Sequence, residues 1–324
     1  MIRHVINVRD FSPEDLNSLF QRTTKLKSAY KNRKDWVSTQ GQLLTGQILV
    51  SLFYEPSTRT RLSFESAMNL LGGRVIGTEN AREFSSVVKG ETLEDSIRII
   101  GAYGDVIILR HYEVGAAARA ASVSAVPIVN AGDGDGEHPT QALLDLYTIR
   151  EALPRRRDLT VAFVGDLKNG RTVHSLAHLF GQTASCELAT VSHINFIGPE
   201  SFQIPEAVTG YLKKFGVSFE VHVSLTPEVL TTSDIIYMTR PQLERSKSEK
   251  DRERAVESLI DGKLYTLTPK LADCLKKSAI IMHPFPRNKE LPEELDVLPQ
   301  ARYFEQAGNG LYVRMALLLD LLEK

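Results

Sequence analysis

Ser57-Thr58-Arg59-Thr60-Arg61 sets three hydroxyls and two guanidinium groups between a run of apolar residues and a segment of helical period. At such a junction the first-turn N–H groups of the helix point outward without intrahelical partners, and the helix dipole adds partial positive charge. The combination suits a phosphate, because charge-assisted hydrogen bonds from arginine are the strongest available to such an anion. The plainer alternative is a capped helix with solvated arginines. Two arginines beside the hydroxyls in one turn favour the phosphate.

Basic and polar residues recur after other apolar runs: Arg110-His111, then Asn130-Ala131-Gly132-Asp133 leading to His138-Pro139-Thr140-Gln141, then Gly165-Asp166, Thr239-Arg240-Pro241-Gln242 and His283-Pro284-Phe285-Pro286-Arg287. In open α/β sheets, ligands bind outside the carboxyl ends of the strands, so this placement points to a cleft for a multiply anionic ligand. His138 and Gln141, three apart, would share a helix face. An imidazole and an amide so placed can bond a carbonyl oxygen and an amide nitrogen; a capping role for His138 is an equal alternative.

Gly165–Thr172 is one substitution from the nucleotide-binding pattern GxxxxGK(S/T). Arg171 replaces the lysine that reaches the phosphates, and no apolar run ends in a magnesium-holding aspartate. A loop aiming Arg171 at a carboxylate is favoured over a nucleotide, with a structural turn as the plain alternative. His174 and His178 share a helix face, but Ser175 stands where a zinc protease motif needs glutamate, so packing explains them better. The charged segment Glu244–Glu257 is by default a solvated face, although its position after Arg240 and Gln242 also suits a mobile lid. Ser85–Thr92 is a polar loop with one lysine, Lys89, and carries little by itself.

Nine short Val/Ile-rich runs must position these residues: Gln47–Phe53, Arg74–Gly77, Asp105–Leu109, Val126–Val129, Leu159–Val164, His193–Ile197, Ser218–His222, Asp234–Met238 and Ala279–Met282. Strands without polar alternation, separated by helix-length segments, indicate parallel sheets covered on both faces. Leu62, Ala67, Leu70 and Leu71 predict a helix that Gly72-Gly73 ends, and Leu143, Leu144, Tyr147 and Ile149 another around 141–152. The fold class expected is α/β, with two doubly wound parallel-sheet domains joined by interdomain helices and a final helix at 310–322. At about 100–200 residues per domain, 324 residues fit two.

With 39 Lys+Arg against 40 Asp+Glu, the net charge is −1, which argues against a nucleic-acid or membrane-surface partner. Cys186 and Cys274 are too few for a disulfide framework and read as small buried apolar residues. Ser12-Pro13-Glu14-Asp15 reads as a capped helix start rather than a signal peptide. No run approaches the ~20 apolar residues of a membrane span. The expected compartment is the cytoplasm, or an organelle reached through a transit peptide since removed.

Taken in order, Phe53–Arg61, Lys89-Gly90-Glu91-Thr92, Leu109-Arg110-His111, His138–Gln141, Gly165-Asp166-Leu167 with Gly170–Ser175, Tyr237–Arg240, His283–Arg287 and Gln306–Gly310 resemble the transcarbamoylases over nearly the whole chain. The lysine loop and the pair Arg240 and Gln242 are similar to the aspartate-specific branch, whereas an ornithine enzyme would carry HCLP where this chain has His283-Pro284-Phe285-Pro286. The resemblance implies a transferase that moves the carbamoyl group of carbamoyl phosphate to L-aspartate, giving N-carbamoyl-L-aspartate for pyrimidine synthesis, without metal or cofactor. It implies a carbamoyl-phosphate-binding domain over 1–141, to which a helix at 303–324 returns, and an aspartate-binding domain over 142–302. Ser57, Thr58, Arg59 and Thr60 would hold the phosphate. Thr60, Arg110 and His138 would donate to the carbamoyl oxygen, and Gln141 would bind its nitrogen. Arg171, Arg240 and Gln242 would grip aspartate, with backbone carbonyls near Phe285 and Pro286 facing the amine. Ser85 and Lys89 would act in a neighbouring subunit's site, implying a homotrimer that leaves room for regulatory chains. Phe285 departs from the leucine frequent in the family.

Overall fold

The computed structural model describes residues 4–78, 80–84, 90–134, 136–153, 157–184, 186, 190–243, 249, 253, 256–261 and 264–323. Ser85 and Lys89 lie outside these residues, as does most of the charged segment Glu244–Glu257. The chain divides into two compact units, Met1–Leu144 with Gly308–Lys324, and Asp145–Ala307.

The first unit is built on β1 (Ile48–Phe53), β2 (Arg74–Thr78), β3 (Val106–His111) and β4 (Ile128–Asp133). They form a parallel sheet in the order β2-β1-β3-β4. The second unit contains β5 (Leu159–Val164), β6 (Val191–Ile197), β7 (Ser218–His222), β8 (Ile235–Met238) and β9 (Ile280–Met282), parallel in the order β7-β6-β5-β8-β9. Both are doubly wound. From β1 the chain steps to β2 on one side and later to β3 on the other; from β5 it steps through β6 to β7 and later to β8 on the opposite side. Central strands β1 and β5 are almost wholly buried, whereas the edge strands β2 and β7 are half-exposed. Gly77 permits the close pairing of β2 with β1, since a Cβ there would lie 2.2 Å from the Ser51 carbonyl oxygen.

The expected strands are all present, with differences at their ends. Arg110-His111 and Asn130–Asp133, expected in loops, are the last residues of β3 and β4, where a register shift between Leu109 and His111 lets both strands run on. The Thr58–Leu70 helix buries Thr60, Phe64, Ala67 and Met68, while Leu62 is exposed. Of the expected stripe, Ala67 and Leu71 are buried and Leu70 is half-buried; Leu62 falls outside it, while Phe64 and Met68 face inward in addition. Gly72, at φ +86°, follows the helix end as expected. The last helix starts at Tyr303, as the family resemblance implies and earlier than the apolar pattern at 310–322 suggests, and the helix expected near 141 starts at Pro139. Ser12 caps the Pro13–Lys31 helix reciprocally with Asp15. Cys186 and Cys274 are free and half-buried rather than buried as expected; Cys274 packs at the margin of the second unit's apolar core.

Apolar packing in the second unit encloses a polar chain. Asp145 is fully buried and accepts from the Tyr237 hydroxyl at 2.6 Å and from Gln306 Nε2 at 2.6 Å. Burial first, and the adjacent Asp145 carboxylate second, push the Tyr237 hydroxyl well above its ordinary pKa, so it stays a donor. Asp145→Ala leaves two buried donors unmatched and is expected to lower the unfolding free energy by about 2–4 kcal/mol. Asp145→Asn, which keeps one acceptor, should cost less. Urea unfolding of the two variants checks this, and equal stability of all three proteins would refute it.

Candidate functional site

A doubly wound sheet opens a crevice where its crossovers part to opposite sides. In the first unit that point lies between β1 and β3. Ser57 is the N-cap of the Thr58–Leu70 helix immediately after β1, and no side chain caps this helix. The first turn therefore presents its amides at the carboxyl edge of the sheet, where an anion is favoured. Thr58 and Arg59 are exposed there, and Thr60 is buried at the base of the turn. Arg61 does not join them. It pairs with Glu65 at 3.3 Å, and Glu65 also accepts from Ser51 Oγ at 2.9 Å. Of the two arginines in the motif, Arg59 alone remains at the crevice.

Arg110, near the end of β3, is held from both neighbouring strands, β1 and β4. Its carbonyl accepts from Tyr54 N at 2.8 Å, its Nη1 donates to the Ala131 carbonyl in β4 at 3.1 Å, and its Nη2 lies 3.6 Å from Glu55 after β1. A guanidinium held this way is oriented before any ligand arrives. Following β4, the Asp133 carboxylate accepts from Asn130 Nδ2 at 3.0 Å, Gly115 N at 2.9 Å and Glu137 N at 3.1 Å. These bonds shape the turn that delivers His138. The His138 carbonyl accepts from the amides of Gln141 and Ala142 and so starts the helix, while its buried ring lies at the entrance of that helix. The capping role is thus taken by the His138 backbone carbonyl. Gln141 is half-buried in the first turn.

In the second unit the corresponding point lies between β5 and β8. Gly165 follows β5 at φ +119°, and a Cβ there would lie 2.3 Å from the Thr239 carbonyl oxygen. The Asp166 carboxylate accepts from Asn169 N at 3.0 Å and from Gln242 N at 3.1 Å, stitching the loop after β5 to the loop after β8. This arrangement excludes the nucleotide-loop reading. A phosphate would meet a carboxylate where such loops present a nest of amides. Arg171 opens the Arg171–Thr183 helix and is buried, and half-buried Arg240 donates from Nη1 to the Pro241 carbonyl at 2.8 Å. Arg171, Arg240 and Gln242 thus share one edge of the sheet. His174 bonds the Leu167 carbonyl at 2.7 Å and His178 packs edge-on against Tyr211, so both are packing residues.

The loop after β9 completes this unit's edge. Phe285 has φ +56° and the Phe285–Pro286 bond is cis; Phe285 is half-buried against Tyr303 and Phe304, and Pro286 is exposed. Arg287 donates two hydrogen bonds to Asp296, one of them at 2.8 Å, and lies over Tyr303 and Phe304. Hydrogen bonding from Arg287 holds the Asp296 carboxyl below the usual carboxylate range. Burial lowers the His283 imidazole more than its bond to Glu290 raises it. Burial alone would raise Glu290, but bonds from His283 and the Asn288 amide overcome it and keep the group anionic.

Sequence reasoning named Asp133 and Asp166 without a role and passed over Glu290; all three are loop-shaping acids. Each binds backbone amides of a loop that carries a candidate residue. The Asp-Gly pair at Asp133-Gly134 is a local turn signal that could have marked the first.

Residues 3–151 match the model for the aspartate/ornithine carbamoyltransferase carbamoyl-P binding domain, and residues 157–321 match that for the Asp/Orn binding domain of the same family. The chain is 46% identical to the chloroplastic aspartate carbamoyltransferase of Arabidopsis thaliana, over 98% of this chain and 77% of that one. It is 43% identical to the aspartate carbamoyltransferase catalytic subunit of Methanocella arvoryzae, over 98% and 96%. Aspartate transcarbamoylase from Trypanosoma cruzi, in complex with carbamoyl phosphate and aspartate, superposes with a TM-score of 0.89 at 38% identity, covering 99% of this chain and 97% of that one. Two matched domains in the order that the two sheets follow, with an arginine-bearing edge in each, place this chain in the aspartate/ornithine carbamoyltransferase family.

Proposed function

We propose that the protein is an aspartate carbamoyltransferase, which transfers the carbamoyl group of carbamoyl phosphate to the amine of L-aspartate, in pyrimidine biosynthesis. The observation that carries this reading is the pairing of an uncapped helix start at Ser57–Thr60 with an arginine held between β1 and β4, Arg110, at one topological switch point. The complex of the Trypanosoma cruzi relative with carbamoyl phosphate and aspartate supports the substrate pair.

In this reading Ser57, Thr58, Arg59 and Thr60 bind the phosphate. The aspartate amine attacks the carbamoyl carbon, a C–N bond forms, and negative charge gathers on the carbamoyl oxygen. Thr60, Arg110 and His138 donate to that oxygen, and losing one such donor typically costs about 10²–10³ in rate. Gln141 orients the carbamoyl nitrogen. The bond from carbon to the bridging oxygen then breaks, Arg59 stabilises the departing phosphate, and the phosphate takes the amine proton. No protein nucleophile is required. Arg171, Arg240 and Gln242 bind the aspartate carboxylates, and the carbonyls around Phe285 and Pro286 face the amine. Holding both anions in attack geometry supplies the remaining acceleration.

We further infer a homotrimer in which Ser85 and Lys89 serve a neighbouring chain's site, and a cytoplasmic or organellar location. No helix among the described residues is long and apolar enough to cross a membrane.

Steady-state assays should show phosphate release with aspartate and none with ornithine; turnover of ornithine alone would overturn the assignment. Arg59→Ala and Lys89→Ala chains, each inactive alone, should recover activity when unfolded together and reassembled, because every mixed trimer contains one intact site. Absence of recovery in confirmed mixed trimers would count against shared sites.

A further inference from the structure

The loop after β9 contains a buried pair that the reaction scheme does not use. His283 is fully enclosed, and its Nδ1 accepts from the Phe285 backbone amide at 2.8 Å. A ring nitrogen that accepts carries no proton, so the proton of the neutral ring lies on Nε2. Nε2 faces Glu290 Oε1 at 3.0 Å. The same Glu290 oxygen accepts from the Asn288 amide at 2.8 Å, so one buried carboxylate ties both ends of residues 283–288. The His283 backbone amide donates to Gln306 Oε1 at 2.8 Å, and Gln306 donates to Asp145.

This network converges on an unusual backbone. Phe285 lies in the left-handed region at φ +56°, which costs a residue other than glycine about 1–3 kcal/mol and persists only where its surroundings over-determine it. The Phe285 side chain is only half-buried, so packing against Tyr303 and Phe304 does not by itself select that φ. The bond to His283 Nδ1 acts directly on the residue concerned. Protonating Nδ1 would set a donor against the Phe285 N–H, and replacing the ring with a group that cannot accept there would leave that N–H unmatched.

We propose that His283, oriented by Glu290, is a positioning residue that holds the Phe285 backbone in its left-handed conformation and thereby aims the Phe285 and Pro286 carbonyls at the amine of aspartate. This rests on the reading above that the second unit binds aspartate. The role is distinct from substrate contact, because His283 is enclosed and reaches only the loop.

Two substitutions separate the two ring nitrogens. His283→Asn keeps an acceptor near the Nδ1 position and loses the bond to Glu290, whereas His283→Gln keeps a donor toward Glu290 and loses the acceptor. The expected result is an aspartate KM raised about tenfold or more in His283→Gln and no more than about threefold in His283→Asn, with the KM for carbamoyl phosphate unchanged in both. Equal aspartate KM values in the two folded variants, or a parallel loss of carbamoyl phosphate affinity, would overturn the proposal. Hydrogen exchange of the unaltered protein keeps the test independent of variant folding. The Phe285 amide should be protected although its residue is half-exposed, and exchange at the rate of an open loop would also overturn the proposal. A parent enzyme that does not turn over aspartate would instead defeat the reading on which the inference rests.

Discussion

A parallel sheet wound in both directions has one place along its carboxyl edge where successive crossovers leave to opposite sides, and the helices there cannot close over the strand ends. Everything chemical in this chain depends on that constraint. It applies twice, between β1 and β3 and between β5 and β8. Ser57–Thr60 and Arg110 gather at the first place. Gly165, Arg171, Arg240 and Gln242 gather at the second. A net charge of −1 coexists with this arrangement because only a few of the 39 basic residues stand at the two edges, and the other charges balance over the rest of the chain.

The acids are not mere counterweights. Asp133, Asp166 and Glu290 each spend their hydrogen-bonding capacity on backbone amides of the loop beside a candidate residue. Carboxylates used this way shape loops without neutralising the arginines at the crevice. Two basic residues are taken out of the site by the same logic: Arg61 is paired with Glu65, and Arg287 with Asp296. Asp145 extends the pattern into the core, where it joins Tyr237 to Gln306 and, through Gln306, reaches the loop at His283.

Both sheets were legible because buried parallel strands leave apolar runs, and the crevice residues were legible because they follow those runs directly. The Ser12 cap was equally visible, being a local pattern of four residues with its own hydrogen bonds. What could not be read depends on distance along the chain or on competition. Gln306 meets Asp145 across 161 positions, and Gln242 meets Asp166 across 76, so no spacing rule marks either pair. Arg61 looked equivalent to Arg59 until Glu65, one turn further on, claimed it. Leu62 fitted a helical stripe by identity, yet the helix turned Phe64 and Met68 inward instead, since volume in the core decides between faces. Glu290 carries no sequence signal, because its partner His283 is recognisable only once the loop has closed.

The proposed function rests on the first unit's edge binding the phosphate-bearing substrate and the second unit's edge binding aspartate. Calorimetric titration with N-(phosphonacetyl)-L-aspartate tests it most directly, since that molecule carries a phosphonate at one end and aspartate at the other. The account requires one molecule bound per chain, with affinity reduced at least tenfold both by Arg59→Ala in the first unit and by Arg171→Ala in the second. Undiminished binding in either folded variant would contradict it.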